Sequence, residues 1–252
     1  MTLIAPDWVL PGGQLHGVVG AVSTTRKGGV SAAPYDAMNL GDHVGDDPAT
    51  VAENRRTLAQ QVGRDRWLWL QQVHGKRVVH ATDWHAGIEA DGVIIDNTAD
   101  VAVIMTADCV PVLLAAHDGS VVAAVHAGWR GLASGVVQQA IAGMGVAPQD
   151  LLAWIGPAIS QRAFEVGDEV RQSFVAICAG DAEHFQPNAA GRWQADLPAL
   201  TAAVLARAGV MQVSVDGSCT HADAQRFFSH RRAAPCGRMA SAIWRIAADR
   251  NA

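Results

Sequence analysis

The sequence predicts one domain that mixes helices and strands in layers, the α+β class. Three observations carry this. At 252 residues the chain stands at the upper edge of a single domain and can bury about three quarters of its extended surface. Half of its residues are hydrophobic and 17% are charged, which supplies a large ordered core. Short apolar runs of strand length are interspersed with stretches of helical periodicity, and no repeat, low-complexity tract or linker separates them.

Charge and cysteine usage exclude several function classes. Nineteen basic against 24 acidic side chains give a net charge of −5, and no Lys/Arg cluster is longer than a pair. That argues against a nucleic-acid groove, although Arg26-Lys27, Arg55-Arg56 or Arg231-Arg232 could serve a small anion. The four cysteines, Cys109, Cys178, Cys219 and Cys236, contain no CxxC pair, so a reduced cytoplasmic protein is expected. The opening MTLIAPDWVLPGG lacks the pattern of a signal peptide, and no apolar run approaches the roughly 20 residues of a membrane span.

Taken in order, Gly17–Thr25 reads as a strand that ends at Arg26-Lys27-Gly28-Gly29. Paired glycines beside a basic pair can approach an anion, and an ordinary turn is the plainer reading. Asp47 and Pro48 form an N-cap and first helical position, and the helix to about Val62 carries Val51, Leu58 and Val62 on one face. Trp67–Leu70 is a strand leading to Gln71-Gln72-Val73-His74-Gly75, where His74 occupies the kind of strand-end loop that active sites use. Val78–Ala81, Gly92–Asp96 and Val101–Met105 are strands, the last without polar alternation and so central in its sheet.

Val112–Ala116 and Val121–Val125 flank His117-Asp118-Gly119-Ser120, a hairpin signal in which Asp118-Gly119 would make a two-residue type I′ turn. Position 111 then faces His126. Cys109 lies two residues further out on the same face, a diagonal neighbour of His126 at roughly 7–8 Å between Cα atoms. Gly128-Trp129-Arg130-Gly131 leads into a helix, about Leu132–Ala142, whose N-terminus and Arg130 face that end of the hairpin. Leu151–Ile155 is a strand, Val166–Ile177 a helix, and Asp196-Leu197-Pro198 starts another helix that runs to Gly209. Met211–Val215 and Arg238–Ile246 are the last strands.

His74, Cys109 and His126 are soft-ligand candidates at strand ends. Two imidazoles and a thiolate leave one position open on a tetrahedral zinc, the pattern of a catalytic site, and zinc brings the pKa of bound water to about 7. Asp108 could carry a proton or orient a ligand. Two other readings stay open on these residues: a Cys109–His126 nucleophile and base, as in thiol hydrolases, and a buried cysteine beside a hydrogen-bonded histidine. A copper oxidase is disfavoured, because multi-copper clusters commonly use His-x-His pairs and the chain has none.

The segments STTRKGGVSAAPYDAMNLGDHVGDDP, WLQQVHGKRV, MTADCVPVLL, AVHAGWRGL, WIGPAISQRAFEVGDEV and FFSHRRAAPCGRMASAIW together resemble the bacterial laccase-domain family. Its members are also called polyphenol oxidoreductase, purine nucleoside phosphorylase or peptidoglycan editing factor. The match runs from about Thr24 to Trp244. The resemblance implies a single layered α/β/β/α domain with mixed sheets, a monomer, and a zinc site on His74, Cys109 and His126, with copper as second choice of metal.

The activities it implies are phosphorolysis of adenosine, inosine, guanosine and methylthioadenosine, and hydrolytic deamination of adenosine. A bacterial branch is similar to an enzyme that removes misincorporated L-Ser from the UDP-N-acetylmuramic acid precursor of peptidoglycan. Either substrate is a small molecule, with no nucleic-acid or membrane partner. Arg26, Arg130 and Arg231 are the candidate anion contacts and Asn39 a polar substrate contact. His230 stands where the family pattern usually has Tyr; if that Tyr contacts substrate, specificity shifts and an extra imidazole enters the neighbourhood. Cys219 and Cys236 read as structural.

Overall fold

A computed structural model describes residues 1–8 and 18–247. In chain order the strands are Leu3–Ile4 (β1), Val19–Thr24 (β2), Arg66–Leu68 (β3), Val78–His80 (β4), Gly92–Ile95 (β5), Asp100–Thr106 (β6) and Val110–Ala116 (β7). They continue with Val122–Ala127 (β8), Leu151–Ile155 (β9), Glu165–Val166 (β10), Phe185–Pro187 (β11), Trp193–Ala195 (β12), Gln212–Val215 (β13) and Met239–Arg245 (β14). The α-helices are Pro48–Val62 (α1), Trp129–Ser134 (α2), Val136–Gly143 (α3), Asp168–Val175 (α4) and Leu197–Arg207 (α5).

Two large mixed sheets form the centre. One has the order β1-β2-β14-β6-β3 and the other β13-β9-β7-β8-β5-β4, with β10-β12-β11 as a small third sheet. Parallel pairs (β3 with β6, β4 with β5, β13 with β9) coexist with antiparallel ones. Side chains alternate faces along a strand, and this separates two cores. Val112, Leu114 and Ala116 of β7, with Ala123 and Val125 of β8, pack against helices α3, α4 and α5. Leu113 and Ala115, with Val122 and Ala124, face the other way, onto Val101, Val103 and Ala242 of the five-stranded sheet.

The six-stranded sheet therefore lies between helices and a second sheet. That is why β7 and β8 read as unbroken apolar runs. Each fully buried aliphatic side chain in them contributes about 1.5–3 kcal/mol. Helix α1, with Leu58, and the nearby Met38 and Leu40 complete the second core. The arrangement is the layered, mixed-sheet α+β fold that the sequence predicts.

Several local expectations hold to the residue. Helix α1 starts at Pro48, and the Asp47 side chain accepts the Ala49 and Thr50 amides. Pro111 pairs with His126 across the hairpin. Strand β6 lies inside its sheet, between β14 and β3.

Others are corrected. The hairpin loop is four residues, not two: the Ala116 amide donates to Val121 O at 3.0 Å, and only Gly119 of the predicted pair takes positive φ. Register survives because the loop gained one residue on each side, so no side chain changed face. The helix expected over 132–142 starts earlier and is broken by Gly135, whose φ of 94° caps α2 before α3 begins. Val166 belongs to β10, and α4 starts only at Asp168. Gly17, the expected start of β2, lies outside the described residues. None of the helices among the described residues is long and apolar enough to cross a membrane.

Candidate metal centre

Three chain segments meet at one end of the six-stranded sheet. His126 is the penultimate residue of β8, Cys109 immediately precedes β7, and His74 sits in the loop between β3 and β4. The donor atoms of these three side chains all lie within 4.8 Å of one another. Cys109 Sγ is 3.8 Å from His74 Nε2, and the two imidazole rings meet edge to face at 4.8 Å between centroids. A tetrahedral ion with Zn–N near 2.0–2.1 Å and Zn–S near 2.3 Å needs donor separations of about 3.3–3.8 Å. The Cys109–His74 pair lies at the upper end of that range and the widest pair, up to 4.8 Å, lies beyond it, so the three donors could hold one ion by closing about 1 Å. Among the described residues they are the one group of their kind.

The organiser of this group is Asp91, which sequence reasoning missed. It precedes β5, and β5 pairs with β8 so that Gly92 faces Val125. That register puts Asp91 beside His126, whose amide donates to Asp91 O at 2.7 Å. The fully buried Asp91 carboxylate also accepts His126 Nδ1–H at 2.8 Å, which leaves Nε2 toward the other donors. The same carboxylate accepts the amides of His74 at 3.0 Å and Gly75 at 2.6 Å. His74 is held there at a φ of 57°, uncommon for a residue with a side chain.

Space at the site is set by a glycine. A Cβ on Gly128, at the start of α2, would stand 2.9 Å from His74 Cδ2 and 3.1 Å from Cys109 Sγ. Gly131 brings α2 against the His74 loop, since a Cβ there would meet Gly75 O at 2.6 Å.

The protonation states follow from burial and mutual charge. Burial pushes the Cys109 thiol up, but the charge and hydrogen bonds of His126 and His74 outweigh it and bring the thiol down to about 6. Burial pushes His126 the other way, and the Cys109 thiolate and Asp91 carboxylate raise it. Burial also opposes ionisation of Asp91, yet His126 and the Gly75 and His74 amides keep it below the ordinary carboxylate value.

The donors open into a cavity of about 410 Å³. Ile159, Phe164 and Leu197 make an apolar wall, while Arg130, Arg231, Arg238, His43 and His230 supply polar groups. Arg130 stacks on Trp129 at 4.5 Å, and Arg231 donates to Glu165 O at 2.7 Å. Of the residues singled out in the sequence, His74, Cys109, His126, Asp108, Arg130, His230 and Arg231 all line this cavity.

Arg26 and Asn39 do not line it. The Arg26 guanidinium pairs with Asp36 at 3.2 Å, donates to Ala224 O and stacks on Phe228. Buried Asn39 accepts the amides of Gly41 and Arg238, and so holds the backbone of Arg238, an arginine that does reach the cavity. Asp108 differs from expectation too. Its carboxylate accepts Thr220 Oγ1, Ser229 Oγ and the Arg231 amide, so its lone pairs are engaged in holding the 229–231 segment. The carboxylate that hydrogen-bonds the His126 ring is that of Asp91.

Residues 20–246 match the family described as multi-copper polyphenol oxidoreductase laccase. The chain belongs to that family. Similar proteins include a purine nucleoside phosphorylase of Pseudomonas aeruginosa, 47% identical over 242 residues that cover 96% of this chain and 97% of the relative. The purine nucleoside phosphorylase YfiH of Escherichia coli is 44% identical over 97% of this chain and 99% of its own. Among solved structures, a Neisseria meningitidis protein superposes with a TM-score of 0.91 at 43% identity, covering 97% of this chain and 99% of that one. YlmD from Geobacillus stearothermophilus does so at 0.87 and 30%, covering 96% and 100%. The laccase-family description names several coppers, whereas the donors brought together here suit a single ion.

Proposed function

We propose that this laccase-family chain is a zinc-dependent purine nucleoside phosphorylase that also deaminates adenosine. One observation carries the reading: the His74, Cys109 and His126 donors share a cavity with an apolar wall and with Arg130, Arg231 and Arg238. The names of the Pseudomonas and Escherichia relatives support the same substrate class. His74, Cys109 and His126 would hold the ion, which would supply Lewis acidity to the cavity.

The chain's own groups have distinct tasks. Guanidinium forks suit phosphate oxygens, so Arg130, Arg231 and Arg238 hold the attacking phosphate. Ile159, Phe164 and Leu197 seat the flat face of the purine and exclude water from it. In phosphorolysis a phosphate oxygen bonds to the sugar C1′, the glycosidic bond breaks, and its electron pair leaves with the base. In deamination water adds at C6 and ammonia departs. His230, exposed at the rim, is placed to exchange protons with solvent. The protein acts as a cytoplasmic monomer, a setting that suits its free cysteines.

Two further readings share the site. The separated arginines also suit the diphosphate of a UDP-linked cell-wall precursor, from which the site would remove L-Ser. The Asp91–His126–Cys109 chain also has the order of a thiol-hydrolase triad.

Elemental analysis and turnover separate these readings. The purified protein is expected to carry one zinc per chain, Cys109→Ala to lose it, and inosine to release free base only when phosphate is present. Full activity in Cys109→Ala overturns the proposal. Full activity in metal-stripped wild type favours the thiol hydrolase. Preference for the L-Ser precursor over both its L-Ala counterpart and nucleosides favours the editing enzyme.

A further inference from the structure

We infer that Asp91 is the positioning residue of the metal centre: a single buried carboxylate sets both histidine ligands at once. The inference rests on the metal-site reading above and adds a residue that touches neither substrate nor ion. Asp91 acts on the two ligands by different means. For His126 it accepts Nδ1–H at 2.8 Å, which fixes the ring's rotation and reserves Nε2 for the ion. For His74 it acts through the backbone. Oδ1 accepts the His74 amide at 3.0 Å and Oδ2 accepts the Gly75 amide at 2.6 Å, with Val73 at 3.4 Å.

Those amides belong to a turn that has His74 at positive φ, a conformation local sterics disfavour. A carboxylate facing three amides stabilises that turn much as an anion fills a backbone nest. Asp91 is 0% exposed, and among the described residues its one salt-bridge partner is His126. Its backbone serves the same end, since Asp91 O accepts the His126 amide. The two histidines come from segments that share no strand pairing, and Asp91 links them.

Asparagine in this place keeps the shape but exchanges one acceptor oxygen for an NH₂ group. Whichever way the amide turns, a donor then faces either the Gly75 amide or His126 Nδ1–H. One ligand is released.

The test compares wild type, Asp91→Asn and a control, Asp181→Asn, which weakens the ion pair of buried Asp181 with the partly exposed Arg207, neither of which lines the cavity. Zinc affinity is read by competition with a chromophoric chelator, and folding by thermal melting of the metal-free proteins. Asp91→Asn is expected to bind zinc about 10–100-fold more weakly than wild type. Asp181→Asn is expected to melt lower with wild-type affinity. Equal zinc affinity in Asp91→Asn and wild type overturns the inference, as does an equal affinity loss in the control. Wild type that takes up no zinc overturns the metal-site reading instead.

If Asp91→Asn does not fold, ¹H–¹⁵N spectra of zinc-loaded wild type decide. A protected, low-field Nδ1–H on His126 is expected, and a proton on Nε2 overturns the inference.

Discussion

The side-chain oxygen of Asn39 accepts the backbone N–H of Arg238 at 2.9 Å, joining two residues 199 positions apart. Asn39 is wholly buried, and its amide group also donates to Gly41 O and to Asp46. Asn39→Ala therefore leaves the buried Gly41 amide and the part-buried Arg238 amide without their acceptor. A stability loss of about 1–3 kcal/mol is expected in denaturant titration. KM for phosphate should rise with little change in kcat, because Arg238 is held less well. An unchanged KM would show that Arg238 does not need this tether.

The arginines divide by location. Arg130→Ala and Arg231→Ala should each raise KM for phosphate about tenfold, the scale of one charge-assisted hydrogen bond of about 1.5 kcal/mol. Arg26→Ala should leave that KM alone and lower the melting temperature, since it removes the Asp36 pair and the stack on Phe228. Steady-state kinetics with varied phosphate, beside thermal melts, check both halves. A phosphate effect in Arg26→Ala would sink the assignment.

Cys109 should be an unusually reactive thiol once metal is removed. Its thiol is brought down to about 6 from the ordinary 9.0. The group is protonated below that value and a thiolate above it. Alkylation of the metal-free protein by iodoacetamide should therefore rise as pH passes 6 and level off well short of 9.0. Peptide mapping identifies the modified cysteine. Added zinc should protect it, and a midpoint near the ordinary thiol value would contradict the described surroundings.

Gly128→Ala tests the tightness of the site. The new methyl would press on both His74 and Cys109, and overpacking of this kind costs about 1–3 kcal/mol. The expected result is a folded protein with substoichiometric zinc, seen by elemental analysis beside a wild-type circular dichroism spectrum. Full zinc occupancy would show that the ligands can give way.

Local signals were legible in the sequence where the chemistry itself is local. Asp47 and Pro48 mark the start of α1 because an N-cap and a first-turn proline act within one turn. The pairing of Pro111 with His126 was legible because hairpin partners are near in sequence. Cys109 and His126 followed from that register, and His74 from the family resemblance. Asp91 was not legible, since its meaning depends on β5 choosing β8 as a neighbour across more than thirty residues. Arg238 and the true role of Asn39 were hidden for the same reason. The break at Gly135 and the small β10-β12-β11 sheet depend on tertiary packing that overrides weak local preference.

Strand β14 has a consequence for how the chain is made. Met239–Arg245 pairs on one side with β2 and on the other with β6, so a strand synthesised late belongs between two that emerged long before. Until it arrives, the facing edges of β2 and β6 have no partner in this sheet, and unpaired edges invite intermolecular pairing. Arg231 and Arg238 lie just before this strand, so two of the three cavity arginines also emerge after His74, Cys109 and His126. A chain cut short before Met239 would keep all three metal donors while its sheet stayed split. Such a fragment would be prone to aggregate through those unpaired edges.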